Sequence, residues 1–373
     1  MSPSIRLGRI FGIEVGFNWS LLFIFAFVAW TLAVDVLPST APGYPPLLYW
    51  VIGAAGALLF YASLLAHELS HAVVARRNGV KVAGITLWLF GGVSSLEGEP
   101  SSARSEALIA GVGPLSSFVL AVIALVLAAV TPDTSVLKAL FAWLAFVNFS
   151  LGLFNLVPAF PLDGGRILSS LLWWRSGSRL KAVRNAVRVG RVFAYLMIAA
   201  GVLGVFIGQP VSGIWIAFVG WFLLSAGAAE EAGSAIRTAL RSFPVSAAMS
   251  SPVVTLPNWV TVQTFLESVA PNHSFTTYPV HDPSGSLTGM VRLSDLVRMP
   301  ATERATKHLK DLARPIADVP VTSPGEDLSA LIGRIGGGIE QRVLVFDGGR
   351  LVGIVSPADV ARVLTLRGAR RTT

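Results

Sequence analysis

Apolar residues dominate about the first 230 positions of this 373-residue sequence, and they fall into runs long enough to cross a lipid bilayer. These runs are Phe17–Val34, Leu47–Arg77, Ala103–Val130, Leu137–Val157, Val192–Ile207 and Val211–Ala229. A helix of about 20 residues spans the hydrocarbon core and satisfies its own backbone hydrogen bonds there. The sequence therefore predicts a polytopic α-helical membrane protein with about six transmembrane helices, followed by a smaller α/β part outside the membrane.

The charged residues are few and are placed at the ends of the apolar runs. Hydrophobic residues make up 53% of the chain and charged residues only 13%, against about 25% charged residues in a typical soluble domain. The net charge of +8 therefore reflects membrane orientation, and no nucleic-acid partner is expected. Because the chain has no cysteine, any metal site must use histidine and carboxylate ligands.

The distribution of lysine and arginine predicts which ends of the spans face the cytoplasm. These residues are frequent at 6–9, 76–81, 166–191 and after 237, and scarce in the links 35–46, 131–137 and 208–210. The positive-inside rule then predicts a multi-pass protein of the cell membrane with both termini in the cytoplasm.

A metal-binding pattern, H-E-x-x-H, lies inside the second apolar run at 67–71. On a helix, His67 and His71 share one face and can reach one zinc ion, while Glu68 lies beside it to take a proton from water. The pattern also occurs by chance in soluble helices. Here, however, it lies at membrane depth, where ionisable side chains are costly unless they bind an ion, pair or face water.

Three further segments have distinct patterns. Residues Val80 to Glu97 include a β-prone stretch too short for a transmembrane helix, so we expect a short membrane-associated β-hairpin. Gly111 to Pro114 is expected to interrupt the third span. The basic segment Arg166 to Arg191 is either an amphipathic stretch at the membrane interface or a solvated loop.

A catalytic zinc ion usually has three protein ligands, so one carboxylate is missing from the pattern. The other histidines all lie in the carboxyl-terminal part, and most acidic residues lie at the wrong depth. Asp163 is the favoured third ligand because it follows a proline-broken helix end, and Glu97 is a weaker rival. An aspartate before Gly164 and Gly165 could instead belong to an ordinary turn.

The H-E-x-x-H pattern, together with N-x-x-P-x-x-P-L-D-G-G at 155–165, resembles the site-2 protease family of intramembrane zinc metalloproteases. The resemblance implies that His67, His71 and Asp163 bind one zinc ion and that Glu68 is the general base. It also implies that Asn155 donates a hydrogen bond to the substrate carbonyl or its oxyanion. Relatives commonly have Asn near the position of Ser117.

The same resemblance implies a prokaryotic protein that cleaves within or near a transmembrane segment of another membrane protein, in regulated intramembrane proteolysis. A hairpin around Phe90, Gly91 and Gly92 is similar to one in the family that is thought to present an edge strand to an unwound substrate.

An internal repeat occupies the carboxyl-terminal part. The segment from Pro279 to Asp295 recurs from Leu344 to Asp359, each copy reading as two strands followed by a helix. It resembles a tandem pair of CBS domains, which we place at 244–300 and 308–373, after a membrane domain at 1–235. Such pairs often bind an adenine nucleotide.

The two copies differ at the position that would hold the ribose. Ser356 and Asp359 fit the expected pattern in the second copy, whereas Arg292 replaces the hydroxyl residue in the first. We therefore predict at most one ordinary adenosine pocket, at Ser356 and Asp359. A structural pair, or one that forms a homodimer, is the alternative.

Together these observations predict a zinc metalloendopeptidase, possessing one zinc ion per chain. The rival hypothesis is a CBS-gated metal ion transporter or channel, in which the same ligands hold an ion in transit. Glu68 separates the two, because a transit site does not require a carboxylate beside its first histidine.

Overall fold

A computed structural model describes residues 5–88, 91–241, 243–273, 275–335 and 342–371. The chain forms two compact units, Met1–Ala235 and Ile236–Thr373.

The first unit contains six helical segments long and apolar enough to cross a membrane, among the described residues: Ser20–Thr40, Pro46–Arg77, Ala103–Val130, Val136–Asn155, Arg179–Phe206 and Pro210–Leu240. Its helices are α1 (Ser20–Thr31), α2 (Leu37–Thr40), α3 (Pro46–Arg77), α4 (Ala103–Val130), α5 (Val136–Asn155), α6 (Asp163–Ser176), α7 (Arg179–Phe206) and α8 (Pro210–Leu240). One π-helical stretch, Leu32–Val36, joins α1 to α2, so the first span is a single continuous helix. The prediction of a multi-pass helical protein is confirmed.

Large apolar side chains cover the outside of this unit as well as its core. Leu32 and Leu140 are almost fully buried between the helices, at 0% and 2% exposed. By contrast, Phe23, Val122 and Leu196 on the spans are 71%, 58% and 64% exposed. Such a surface is stable only when lipid covers it.

A four-stranded sheet lies beside the helices, in the order β1 (Ile5–Ile10), β2 (Ile13–Phe17), β3 (Lys81–Trp88) and β4 (Gly91–Glu97). The sequence predicted only the β3–β4 hairpin. Strand β2 pairs in parallel with β3, with Glu14 opposite Gly84 and Phe17 opposite Leu87, although two membrane spans separate them in sequence. A parallel partner so distant leaves no local signal, which is why β1 and β2 were missed.

A predicted interruption of the third span and a predicted loop before the fifth span are not present. Helix α4 runs unbroken through Gly111 and Pro114, so the expected break in the third span is wrong. Helix α7 begins at Arg179 and continues to Phe206, so the basic residues from Arg179 onward are the first turns of the fifth span rather than a solvated loop. Lysine and arginine are good helix formers, and they extend a membrane helix into the interface without a chain break.

Where it is described, the second unit contains seven strands and several helices. The strands are β5 (Leu256–Pro257), β6 (Thr277–His281), β7 (Leu287–Arg292), β8 (Arg314–Pro315), β9 (Val321–Thr322), β10 (Val343–Asp347) and β11 (Arg350–Val355). The helices are α9 (Val262–Thr264), α10 (Leu293–Val297), α11 (Ala301–Arg304), α12 (Leu309–Leu312), α13 (Leu328–Arg334) and α14 (Pro357–Arg371). The sheets have the orders β5-β6-β7-β8 and β11-β10-β9.

The two repeats exchange short segments with each other. Val245 and Ala248, which precede the first repeat's strands, are buried in the core built around Leu328 and Val345 of the second repeat. In turn, Leu309 is buried in the core of the first repeat. The packing thus crosses the sequence boundaries 244–300 and 308–373, because each short strand pair lacks enough apolar surface to form a core alone.

Candidate metal centre

Two helices bring the predicted metal ligands together. His67, Glu68 and His71 lie on α3, and Asp163 is the first residue of α6, just after the irregular segment 156–162. A carboxylate at this position stabilises the start of α6, because it interacts favourably with the unpaired backbone N–H groups of the first turn. The irregular segment brings α6 back to α3 although 92 positions separate His71 and Asp163 (163 − 71).

The three candidate ligand atoms form a small triangle. His67 Nε2 and His71 Nε2 are 3.1 Å apart, and Asp163 Oδ2 lies 3.3 Å from the first and 3.2 Å from the second. Ligands at about 2.0–2.2 Å from a tetrahedral zinc ion are roughly 3.3 Å from one another, so the spacing fits. His67 is buried and the other two are partly buried.

The other ring nitrogens fix the orientation of the two imidazoles. His71 Nδ1 lies 2.6 Å from the Ile109 carbonyl oxygen, which can only accept, so Nδ1 carries the hydrogen and Nε2 presents its lone pair. His67 Nδ1 lies 2.9 Å from Ser117 Oγ, which is fully buried. A hydrogen bond at Nδ1 is the arrangement that commonly orients a histidine ligand.

Asp163 gives a second indication that a cation belongs here. Its Oδ2 atom is buried and accepts no hydrogen bond within the described part of the chain. His71 Nε2 presents its lone pair 3.2 Å from that oxygen, and His67 Nε2 lies 3.3 Å from it, so three atoms that can act as acceptors converge on one space. A buried convergence of acceptors is costly unless a cation occupies it, so the donor set fits a zinc ion.

Helix α4 supplies the floor of the centre through a residue with no side chain. A Cβ atom at Gly113 would lie 2.1 Å from His71 Nε2 and 2.7 Å from His67 Nε2. Only glycine allows the α4 backbone to lie this close to both imidazoles.

Glu68 lies against strand β4. A Cβ atom at Gly92 would lie 2.2 Å from Glu68 Cγ, so the strand backbone packs directly on this carboxylate. β4 is also the last strand in the sheet order, and its outer edge has no partner strand in the described part of the chain. Phe90 and the Glu97 side chain lie outside the described residues, so the rival ligand Glu97 is not placed.

Asn155 is the last residue of α5, and it is partly buried. Its side-chain amide donates to the Leu151 carbonyl, 3.1 Å away in the same helix. Its predicted contact with substrate therefore stays a prediction.

Sequence reasoning did not find the residues that support the ligands. Ser117 stood out only as a departure from relatives, and neither Ile109 nor Gly113 was assigned a role. A signal was present: Gly113 and Ser117 are four apart, so they share a face of α4, and that face is small and polar inside an apolar helix.

The predicted nucleotide residues are engaged with the protein itself. Asp359 Oδ2 accepts from the Ser356 hydroxyl at 2.6 Å and from the Ser356 backbone N–H at 2.9 Å. Asp359 Oδ1 accepts from the Ser250 hydroxyl at 2.8 Å and lies 3.4 Å from Arg362 Nη2. Asp295 in the first copy is exposed.

Two arginines lie close together near this carboxylate. Burial lowers the pKa of Arg342, and the positive charge of Arg292 lowers it further, while Asp359 raises it. Arg292 is exposed, so its larger side chain does not form part of a closed core.

The helices, the ligand triangle and the adjacent carboxylate define a membrane-embedded metalloprotease, and the chain belongs to peptidase family M50. The family model matches residues 55–141 and 129–198, which include every candidate ligand. A CBS domain model matches residues 309–366.

The chain is 42% identical over 369 residues to the Rip3 zinc metalloprotease of Mycobacterium tuberculosis, covering 98% of this chain and 93% of that protein. It is 28% identical over 367 residues to the zinc metalloprotease MJ0392 of Methanocaldococcus jannaschii, covering 98% and 97% of the two chains. A solved site-2 protease from the same archaeon matches with a TM-score of 0.42 and 28% identity, covering 61% of this chain and 94% of that one.

This membership makes the protein a zinc metalloprotease and decides against the transporter. It confirms the predicted enzyme class, the site-2 protease resemblance and the CBS-containing fold.

Proposed function

We propose that this protein is an intramembrane endopeptidase that cleaves other membrane proteins within or near a transmembrane segment. One observation carries the proposal: the His67, His71 and Asp163 ligand atoms lie within 3.3 Å of one another beside Glu68, and α3, which carries the two histidines and Glu68, is long and apolar enough to cross a membrane. A site built into membrane spans is reached most directly by a substrate that also lies in the membrane.

In this proposal, His67, His71 and Asp163 would hold one zinc ion, which would supply Lewis-acid polarisation to the scissile carbonyl and to the attacking water. Glu68 accepts the proton of the attacking water and returns it to the departing amine. Asn155 donates its amide N–H to the substrate carbonyl oxygen after it releases Leu151. Ser117 and the Ile109 carbonyl hold the two imidazoles in place.

Strand β4 is proposed to position the substrate. An extended segment that pairs with its open edge gains backbone hydrogen bonds in a fixed register. Since Gly92 packs on Glu68, that register would place one peptide bond over the general base.

The charge distribution supports a topology with both termini in the cytoplasm, and regulated release of a cytoplasmic fragment follows as the proposed role. We also propose that the CBS region regulates cleavage through an adenine nucleotide. Arg292 and Arg342 supply the positive charge for phosphates, and Ser356 and Asp359 would hold the ribose once Ser250 or Arg362 releases the carboxylate.

The test is co-expression of the full-length protein with a panel of single-span membrane proteins, followed by detection of tagged fragments. Glu68→Gln removes the base without removing a ligand, so it should retain zinc and lose cleavage by at least about a hundredfold. Fragments that persist with the zinc-loaded Gln variant would exclude the proposed role of Glu68.

A further inference from the structure

A cavity of about 450 Å³ lies near the carboxyl-terminal end of α3. It is lined by Phe11, Val73, Arg76 and Arg77. Phe11 belongs to the turn between β1 and β2, and the other three residues form the last turns of α3. The cavity thus lies where the amino-terminal hairpin meets the end of a membrane span.

The two arginines offer unused positive charge at this place. Both are exposed, and within the described part of the chain neither guanidinium forms an ion pair with a carboxylate. Arg76 Nη1 donates a hydrogen bond to the Phe11 carbonyl oxygen. A guanidinium has five N–H groups, so Arg76 can still donate to a ligand.

Phe11 has an unusual conformation for its residue type. Ile10 pairs with Ile13, so Phe11 and Gly12 form a two-residue turn with φ values of 49° and 74°. Asn or Gly normally occupies the first position of such a turn, because a bulky residue at positive φ is strained. The phenylalanine side chain is nevertheless 74% exposed, so packing within the protein does not explain it.

Two apolar residues of the neighbouring strand are also exposed. Leu7 is 61% exposed and Ile10 is 38% exposed, next to the hairpin turn. The turn of the hairpin therefore places exposed apolar side chains beside two guanidinium groups that form no ion pair within the described part of the chain. Arginines at a helix end complement its dipole, but that role requires neither the cavity nor the strained aromatic residue.

We propose that this cavity binds the headgroup of an anionic phospholipid from the surrounding bilayer. Helix α3 has 32 residues and is about 48 Å long, longer than the hydrocarbon core of about 30 Å, so its end lies at the headgroup level. Arg76 and Arg77 bind the phosphate, for which guanidinium geometry is well suited. Phe11 and Leu7 enter the lipid layer beside it, as aromatic and apolar anchors do at membrane interfaces.

The four-stranded sheet connects this cavity to the candidate metal centre. The hairpin strands β1 and β2 continue through β3 to β4, which packs on Glu68. A lipid that fixes the hairpin would therefore steady the strand beside the candidate general base.

Native mass spectrometry of the full-length protein in mild detergent tests the proposal, with phosphatidylglycerol or phosphatidylcholine added at equal concentrations. We expect one phosphatidylglycerol to bind with at least about tenfold preference. Arg76→Gln with Arg77→Gln should weaken that binding about ten- to thirtyfold, since each basic residue near a membrane contributes about one factor of five.

The matched control is Arg175→Gln with Arg188→Gln, which removes two exposed arginines elsewhere in the same unit. It should leave phosphatidylglycerol binding within about threefold of the unaltered protein. Equal loss in both double variants would show general attraction to a basic surface and would overturn the site, as would equal binding of the two lipids.

Phe11→Asn provides a variant that keeps the fold, because asparagine suits the positive φ of the turn. It should preserve or raise the thermal stability and lower phosphatidylglycerol affinity roughly fivefold, through loss of apolar contact. Unchanged affinity would remove Phe11 from the site.

A hexaglutamate peptide, added in place of lipid, tests an acidic protein segment as the ligand. If the peptide binds here and phosphatidylglycerol does not, lipid is excluded as the ligand.

Discussion

At the residue scale, the candidate metal centre combines residues predicted to bind the metal with residues that orient their side chains. His71 has its hydrogen fixed on Nδ1 by the Ile109 carbonyl, and His67 is held through Ser117. Motif spacing predicts His67 and His71 as ligands, and depth in the membrane together with the site-2 protease resemblance favours Asp163 over Glu97 as the third. The supporting residues could not be predicted in this way, because their roles depend on how α4 packs against α3.

The proposed ligand set predicts that Asp163→Ala lowers the zinc content of the purified protein while Glu97→Ala leaves it near one per chain. Removal of one of three protein ligands weakens a catalytic zinc site severely. Metal analysis after gel filtration measures both variants. An empty site in Glu97→Ala, with zinc retained in Asp163→Ala, would reverse the assignment.

A second prediction concerns Ser117. Ser117→Ala should weaken zinc binding about ten- to a hundredfold, because His67 loses the hydrogen bond that orients its ring. Competition with a chelator of known affinity measures the change without use of enzyme activity.

Ser116→Ala is the matched control for Ser117→Ala. The Ser116 hydroxyl donates to the Gly113 carbonyl at 2.7 Å and has no described contact with a proposed ligand. Its zinc affinity should therefore stay within about threefold of the unaltered protein. A similar loss in both variants would indicate a general disturbance of α4 rather than a specific role for Ser117.

At the element scale, sequence periodicity predicted long elements well and paired or exchanged elements poorly. The bounds of α3 and α4 follow from their apolar runs and their flanking residues. Pro114 was expected to break α4, but the helix is held on several sides and tolerates the missing backbone hydrogen bond, as membrane helices often do. Strands β1 and β2 were missed because their stability comes from β3, which is distant in sequence.

The predicted adenosine pocket lies at the start of α14, where Ser356 and Asp359 are found. Isothermal calorimetry of the full-length protein with AMP, ADP and ATP should detect at most one site per chain, weakened at least about tenfold by Ser356→Ala and unaffected by Asp295→Ala. Ser356→Ala is preferred to a change at Asp359, because Asp359 is 7% exposed and its loss would unsatisfy several partners. Loss of binding with Asp295→Ala alone would move the pocket to the first repeat, and no binding would favour a structural CBS pair.

At the scale of the whole molecule, charge and hydropathy decide how the chain is threaded through the bilayer. Six spans place both ends of the membrane unit on one side, whichever side that is. The basic residues at the start of α7 and the end of α3 then favour the cytoplasm for both termini. Charge and hydropathy do not predict the crossing angles and contacts of the individual helices, because these depend on side-chain packing.

Single-cysteine labelling tests the topology directly, since the chain has no cysteine of its own. Cysteines introduced at Thr40 and Thr134 should react with a membrane-impermeant maleimide added to intact cells. A cysteine at Leu180 should react only after the cells are opened. The reverse pattern would invert the proposed topology while leaving the fold unchanged.

The open edge of β4 bears on how a substrate is chosen under the proposed function. A transmembrane segment can pair with that edge only after several residues give up their helical hydrogen bonds. Selection is then governed by the free energy of local helix unwinding, which a single glycine lowers by about 1 kcal/mol relative to alanine. Two substrates with unrelated side chains but equally weak helices would be cleaved alike, and a stabilised helix carrying the same scissile bond would escape.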